Sequence, residues 1–202
     1  MKDKTITMDF IEQGINQAYD TAEEKGFYKR GTSISHSLMM IITEICEAIQ
    51  ADRRNRHGSL PEYNRSREYA SITDSYLLSI DETVESELAD VAIRIMSLLG
   101  FLKKKCNYRL MSEDEFVFQK DCFLVNLKHL YIPFTEIMFD LTKKITSKEL
   151  ETSPAWLIAY NMQLILAYLY AISIYLIFDL KEYITIKMEY NKERPYYHNK
   201  KY

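Results

Sequence analysis

Apolar residues recur at every third or fourth position along most of this chain, which is the spacing of one face of an α-helix. The clearest stripe consists of Leu38, Ile41, Ile42, Ile45 and Ile49. The helix that carries this stripe begins near Ser33 or Ser35, because either serine is a good N-cap, and it ends at about Arg54. We see no convincing pair of strands, and the pattern therefore predicts an all-α protein, most simply a helical bundle of about five helices.

Two more helices lie on either side of this one. The first runs from about Met8 to Lys25, and the following Gly26 is a suitable C-cap. The third begins at the sequence SIDE, where Ser79 stands three residues before Glu82 as in a capping box. Residues 55–79, between the second and third helices, are rich in Arg, Ser, Tyr and Asp, so we expect a long connecting loop of a kind that is often functional or mobile.

The C-terminal part of the chain predicts two longer helices. A fourth helix covers about Glu113 to Ile145 and is bent or interrupted near Pro133, and a fifth runs from about Pro154 to about Asn191. Within the fifth, Trp156 to Phe178 is a run of 23 residues without a charge, long enough to span a bilayer. Its tyrosines are spread along its length, so we expect a helix buried on nearly all sides, with a membrane anchor as the alternative.

Length and charge narrow the class of protein. A chain of 202 residues fits one domain, taken as residues 1–202, and can bury a core without metal or disulfide staples. The formal net charge of −3 gives no general attraction to nucleic acid or to an anionic membrane. Three separated cysteines are typical of free thiols in a reducing compartment, and the N-terminus lacks the apolar core of a signal peptide, so we expect a cytoplasmic protein.

Two pairs of acidic residues stand beside the apolar stripes of their helices. In the segment TEICEAIQADRR, Glu44 and Glu47 are three residues apart, which places them about 60° apart around the helix. The segment ESELADVAIR repeats the arrangement with Glu87 and Asp90, and Arg94 lies near them. Such pairs are common on solvated helix faces, and either pair alone favours that interpretation. Two helices packed through their stripes, however, would bring all four carboxylates to one rim.

Four close carboxylates repel one another unless they are protonated or neutralised by a cation. A bound divalent metal ion removes this conflict. Because the ligands would all be oxygen atoms, with no His or Cys at ligand spacing, the pattern favours Mg²⁺ or Mn²⁺ over zinc. Magnesium held by a few carboxylates keeps positions for water and substrate phosphates, which indicates hydrolysis or transfer at a phosphate.

The segments TEICEAIQADRR and ESELADVAIRIM together resemble the ExxE and ExxD signature of the MazG-like, all-α nucleoside triphosphate pyrophosphohydrolases, relatives of the dimeric dUTPases and the dCTP pyrophosphatases. The upstream EEKGFY and the terminal KMEYNKERPYYHNKKY add to a likeness that covers about residues 10–55, 82–105 and 183–202. The resemblance implies Mg²⁺-dependent hydrolysis of an NTP or dNTP between its α and β phosphates, which yields a nucleoside monophosphate and pyrophosphate. We further expect a homo-oligomer, either a dimer or a tetramer.

The resemblance assigns roles to the acids. Glu44, Glu47, Glu87 and Asp90 occupy the metal positions of the family. Glu44 and Glu47 are also the candidate catalytic residues, and Glu44 is our candidate for the group that orients or deprotonates the attacking water. The chain departs from many members in having Thr43 where they carry a further acid, and in a long gap of 39 residues between Glu47 and Glu87. These departures leave the number of metal ions and the choice of base open.

The C-terminal tail supplies groups that suit a phosphate. Lys187 and Asn191 are one helical turn apart, and Arg194 follows just before the chain leaves the helix at Pro195. The two cations can neutralise phosphate oxygens, and Asn191 adds a neutral donor and acceptor. We therefore predict that these three residues bind the substrate, and the alternative is a frayed basic C-terminus.

Several alternatives stay open at the level of sequence. Phe27 or Tyr28, just after the first helix, could stack on a base. The same helical frame could also belong to a nucleotide-binding or scaffold protein without turnover. No Ser or Cys nucleophile has an assignable partner, so the sequence disfavours covalent catalysis. Neither the base nor the sugar of a substrate follows from these residues.

Overall fold

Helices are the one kind of regular secondary structure in the described part of the chain. The computed structural model describes residues 6–28, 32–147 and 153–195, and these residues form nine α-helices and no strand. The helices are α1 (Met8–Glu24), α2 (Ile34–Arg53), α3 (Leu60–Ser66), α4 (Ile72–Ser79), α5 (Val84–Lys105), α6 (Glu113–Leu130), α7 (Phe134–Ile145), α8 (Ala155–Tyr175) and α9 (Leu180–Glu193). The all-α class expected from the sequence is confirmed.

Side-chain caps explain where the first two helices begin. The Thr7 hydroxyl accepts a hydrogen bond from the Phe10 backbone N–H, and the Ser33 hydroxyl accepts one from the His36 N–H. Ser33 is therefore the N-cap of α2, which decides between the two serines that the sequence allows. After α1, Gly26 has a φ of 92°, which glycine adopts without strain, and the chain leaves the helix there.

The capping box predicted at Ser79 is wrong. Ser79 is the last residue of α4, and α5 begins at Val84 with Thr83 as its N-cap. Glu82 has a φ of 54°, and a residue in the left-handed region cannot belong to a right-handed helix. The turn at Glu82 therefore delays the start of α5 by about one helical turn.

The connector between α2 and α5 is helical, which is the first reason that a prediction of about five helices is too low. Most of residues 55–79 belongs to α3 and α4, and the hydroxyls of Ser59 and Ser71 cap these helices. They contain only seven and eight residues, so no long apolar stripe reveals them in the sequence. The expected loop is instead a pair of short helices.

The fourth and fifth predicted helices are each two helices. Tyr131 has a φ of 48° and Pro133 is the N-cap residue of α7, so the interruption expected near Pro133 is a complete break. A second break separates α8 from α9, where Ile177 has a φ of 65° and the Asp179 carboxylate caps α9. The apolar pattern runs through this second break without a signal, because Ile177 is itself apolar.

The central helix of the fold is α5. It packs against α1, α2, α8 and α9, while α6 packs on α8 and α7 packs on α2. The apolar residues of α5 from Val84 to Leu102 are almost all buried, and Ile41 and Ile45 in the predicted stripe of α2 are fully buried. Because several helices surround α5, side chains from α1, α2 and α9 can reach its acidic residues.

The uncharged helix that suggested a membrane anchor is α8. Among the described residues, it is the one helix that is long and apolar enough to cross a bilayer, and 72% of its most apolar window is buried inside the protein. It packs against both α5 and α6. This contact with protein on more than one side gives its apolar surface the environment of a core helix.

We predict that Gly100→Ala lowers the free energy of unfolding by about 1–3 kcal/mol. Gly100 lies where α5 meets α1, and a methyl group there would lie 2.4 Å from Cβ of Tyr19 and 3.1 Å from the backbone oxygen of Ile15. These atoms cannot move aside without a shift of α1, and this cost exceeds the roughly 1 kcal/mol of helix propensity that alanine adds. Denaturation by urea measures the change.

The matched control is Gly14→Ala on the facing helix. A methyl group at Gly14 would lie 2.8 Å from the sulfur of Met96, and a flexible thioether can move away. We expect a loss of less than about half that of Gly100→Ala. Equal losses at the two glycines would contradict the close approach of α1 and α5 at Gly100.

Candidate active-site cavity

The predicted site residues come together where α2 and α5 pack. A cavity of about 280 Å³ lies there, and its walls belong to α1, α2, α5, α9 and the turn before α5. It is lined by all seven residues that the sequence predicts as metal or substrate ligands: Glu44, Glu47, Glu87, Asp90, Lys187, Asn191 and Arg194. The acids and the cationic tail, which are far apart in the sequence, therefore line one cavity.

Three glutamates form the tightest group of acids in this cavity. Glu44, Glu47 and Glu87 each offer a carboxylate oxygen, and these three atoms all lie within 4.8 Å of one another. Glu44 and Glu87 are each only 5% exposed, whereas Glu47 is exposed. Two of these three acids are therefore buried where the helices meet.

Burial raises the pKa of Glu44 and of Glu87 above the ordinary value of a carboxyl group. Loss of water raises the pKa of Glu44 to about 7, and the charge of Asp90 adds to this rise while the Arg94 guanidinium opposes it. Burial likewise raises the pKa of Glu87 to about 8, with the charge of Asp90 and against the Lys187 ammonium. Without a further cation, these two carboxyls therefore keep their protons to a higher pH than exposed carboxyls do.

Arg94 is the cation that balances Glu44. Its Nε and Nη2 atoms lie 3.0 and 2.9 Å from Oε1 of Glu44. Arg94 stands one helical turn after Asp90 on α5, so its place near the acids can be read from the sequence. Its guanidinium carbon also lies 5.8 Å from the centre of the Phe27 ring, within the range of a cation–π contact. Arg94 thus contacts both Glu44 and the Phe27 ring.

Lys187 and Asp90 form an ion pair inside the site. The Nζ atom of Lys187 lies 2.7 Å from Oδ2 of Asp90, and Lys187 is 5% exposed. Burial lowers the pKa of Lys187, but Asp90, Tyr76 and Glu87 together outweigh burial and hold this pKa well above its usual range. The sequence assigns Asp90 to a metal and Lys187 to a phosphate, and the structure places the two side chains against each other.

Tyr76 and Ser86 complete the contacts of Lys187, and sequence reasoning does not find them. The Lys187 ammonium donates to the Tyr76 hydroxyl over 2.7 Å and lies 3.5 Å from Oγ of Ser86. Tyr76 is fully buried on α4, a helix that the sequence does not predict, and it stands 111 positions from Lys187. No local motif connects these residues, so only the fold reveals the contact.

Asn191 and Arg194 line the side of the cavity at the C-terminal end of α9. Within the described part of the chain, the buried Oδ1 atom of Asn191 has no hydrogen-bond partner. The guanidinium carbon of Arg194 lies 5.6 Å from the centre of the Tyr190 ring. A buried amide oxygen without a partner and a guanidinium in the same wall are groups that a ligand can engage.

Phe27 and Tyr28, the two candidates for stacking on a base, have different surroundings. The Tyr28 ring stacks on both Tyr19 and Phe101, with ring centres 5.2 and 4.9 Å away, and its hydroxyl shares a hydrogen bond with Oγ of Ser97. Tyr28 is therefore held by other aromatic residues and does not line the cavity. Phe27 lines the cavity itself, which favours Phe27 over Tyr28 as the residue that could meet a base.

Comparison of the chain with protein-family models, with curated proteins and with solved structures finds no match in any of the three. The resemblance of the two acidic segments to the MazG-like family therefore stays a prediction. What the cavity can do has to be argued from its own residues.

We predict that the protein in a chelating buffer becomes less stable as the pH rises from about 5 to about 8. Glu44 and Glu87 bind their protons more tightly in the folded chain than in the unfolded chain, where their pKa is near the ordinary value of 4.5. The folded protein therefore holds more protons in this range, and its free energy of unfolding falls until the pH reaches about 7 for Glu44 and about 8 for Glu87. Urea denaturation at stepped pH measures the slope.

Two variants separate the effect of the buried carboxyls on this slope from the effect of exposed carboxyls. Glu87→Gln removes one of the two groups and should flatten the dependence on pH. Glu12→Gln should leave the slope unchanged, because Glu12 is half exposed and pairs with Lys103 outside the cavity. A stability of the wild-type protein that does not fall with pH over this range would contradict the raised pKa values of Glu44 and Glu87.

Proposed function

We propose that this protein hydrolyses a nucleoside triphosphate between the α and β phosphates, with a divalent cation as cofactor. The observation that carries the proposal is the composition of one cavity, in which clustered acids share the walls with an amide and a guanidinium from the end of α9. A triphosphate with its cation is complementary to such a cavity, because the cation needs oxygen ligands and the phosphates need donors. The sequence resemblance to MazG-like pyrophosphohydrolases supports the same function.

The residues of the cavity fit Mg²⁺, with Mn²⁺ as a substitute. Glu44, Glu47 and Glu87 offer oxygen atoms within 4.8 Å of one another, which is a donor set for a hard cation. Burial, together with the charge of Asp90, raises the pKa values of Glu44 and Glu87, and a cation would take the place of their protons. When bound, the cation supplies positive charge that acidifies a coordinated water and stabilises charge on phosphate oxygens. Asp90 adds its negative charge beside these ligands, and its carboxylate also forms an ion pair with Lys187.

Glu44 is our candidate for the group that orients the attacking water and takes its proton. Arg94 engages Oε1 of Glu44 and fixes the direction of the carboxylate, so we assign Oε2 to the water. The water oxygen then forms its bond to the α-phosphorus as the bond from this phosphorus to the bridging oxygen breaks. The products are a nucleoside monophosphate and pyrophosphate.

Asn191 and Arg194 are our candidates for binding the phosphates that leave. Arg194 offers a planar fork of donors, and the Asn191 amide lies in the same wall of the cavity. Negative charge develops on the leaving pyrophosphate, and fixed donors at that place lower the barrier. We assign Lys187 to Asp90 instead of a phosphate, because its ammonium is buried against that carboxylate.

A nucleotide-binding protein without turnover is the second candidate. The ion pair between Lys187 and Asp90 favours it, because one of the four acids is already neutralised by a buried ammonium. A panel of all NTPs and dNTPs, with Mg²⁺ or Mn²⁺ and detection of pyrophosphate, distinguishes the two functions. Turnover of any nucleotide supports the hydrolase, and binding without turnover supports the second candidate.

Glu47→Gln is expected to reduce pyrophosphate release by more than about 100-fold while the helical fold stays intact. Glu47 is exposed and its carboxylate belongs to the glutamate cluster, so the amide removes a charge of the cation site without burying an unsatisfied group. Steady-state release of pyrophosphate measures activity, and far-ultraviolet circular dichroism measures helix content.

The control for this variant is again Glu12→Gln, which removes an exposed carboxylate outside the cavity and should keep full activity. Asp90→Asn changes the acid that Lys187 engages, and we expect it to lose activity as well. Normal turnover by Glu47→Gln would refute the assignment of the glutamate cluster as the cation site.

Phe27→Ala should raise the KM of the preferred nucleotide by about fivefold or more, with a smaller change in kcat. Phe27 lines the cavity beside Arg94 and is our candidate for stacking on the base. Stacking contributes binding energy away from the reacting phosphates, so its loss weakens substrate and transition state alike. Initial-rate kinetics separate the two parameters, and a lower kcat at unchanged KM would contradict this role.

A further inference from the structure

Tyr76 makes a buried contact that the proposed chemistry does not use. Its side chain is fully buried, and its hydroxyl accepts a hydrogen bond from the Lys187 ammonium over 2.7 Å. The same hydroxyl shares a hydrogen bond with Oγ of Ser86 on α5. An ammonium has three donors and no acceptor, so Asp90, Tyr76 and Ser86 together give it three partners.

The ring of Tyr76 joins α4 to α9 beside this contact. It stacks on Tyr190 with ring centres 4.1 Å apart and an angle of 15° between the rings. The Lys187 ammonium lies 4.9 Å from the centre of the Tyr76 ring. A hydrogen bond from the Thr73 hydroxyl to the Glu193 carboxylate adds a second link between the same helices. The short helix α4 therefore positions both α9 and its buried lysine.

We propose that Tyr76 is a positioning residue, which holds the Lys187 ammonium on Asp90 and away from the glutamate cluster formed by Glu44, Glu47 and Glu87. The consequence for the cation site rests on the proposed function, because it reserves this cluster for a divalent cation. The hold of Tyr76 on Lys187 does not depend on any activity.

Lys187 needs a positioning residue because a second carboxylate also attracts its ammonium group. Glu87 follows Ser86 directly, and its carboxylate attracts the Lys187 ammonium. A buried ammonium that loses an acceptor turns toward another one, since an unpaired charge is costly in the protein interior. Glu87 is such an acceptor, and an ammonium placed there repels a divalent cation from the glutamate cluster.

Tyr76→Phe tests this role, because it removes the hydroxyl and keeps the ring. The affinity of the full chain for Mn²⁺, measured by electron paramagnetic resonance after chelation and dialysis, should fall by about threefold or more. The matched control is Tyr108→Phe, since the Tyr108 hydroxyl donates to the Leu99 carbonyl over 3.0 Å and lies outside the cavity. Equal Mn²⁺ affinity of the two variants would overturn the effect of Tyr76 on the glutamate cluster.

A double-mutant cycle tests the contact without any activity. The melting temperatures of Tyr76→Phe, Lys187→Met and the double variant are compared with that of the wild-type protein. If Tyr76 holds Lys187, the loss in the double variant is smaller than the sum of the single losses by about 2 °C or more. Should Lys187→Met fail to fold, Asp90→Asn takes its place, because it removes the charge that anchors the same ammonium.

The two measurements separate the failure of this proposal from the failure of the proposed function. Additive losses in melting temperature overturn the hold of Tyr76 on Lys187, whatever the activity of the protein. A wild-type protein that binds no Mn²⁺ and hydrolyses no nucleotide overturns the proposed function, while non-additive losses in that protein still support the hold of Tyr76 on Lys187.

Discussion

Repulsion among the acids at the contact of α2 and α5 explains why α5 and α9 each place a cationic side chain beside them. The apolar stripes of the two helices form much of the core, and their packing removes Glu44 and Glu87 from water. Water then no longer screens these charges, so each carboxyl needs a positive partner or a proton. Arg94 and Lys187 supply part of the positive charge. The rest is left to protons or to a divalent cation.

The path of the C-terminal helices brings a further positive charge, that of Lys187, to these acids. One continuous helix from Pro154 to Asn191 would contain 38 residues. It would extend for about 57 Å and would carry Lys187 away from α5. The break at Ile177 lets α9 pack against both α4 and α5. A buried ammonium thereby reaches Asp90, and the connector that carries α4 becomes part of the site.

The cavity combines groups that would not be needed together for a simpler ligand. A site for a cation alone has no use for the Arg194 guanidinium or the Asn191 amide. A site for phosphate alone would not hold three glutamates with oxygen atoms within 4.8 Å of one another. Their combination favours a ligand that carries both a divalent cation and phosphates, which is the physical basis for proposing a nucleoside triphosphate.

The helical class, the spacing of the two acid pairs and the polar residues of the tail follow from the sequence, because each is a pattern within a single helix. The packing of the helices, by contrast, is needed to see that Lys187 pairs with Asp90, that Tyr28 stacks on two other rings, and that Tyr76 contacts Lys187. The left-handed residue Ile177 divides a helix that the apolar pattern predicts as continuous. The contacts of Lys187 with Asp90 and with Tyr76 join residues that are distant in sequence. Their energies depend on burial and on neighbouring charges, which no local pattern records.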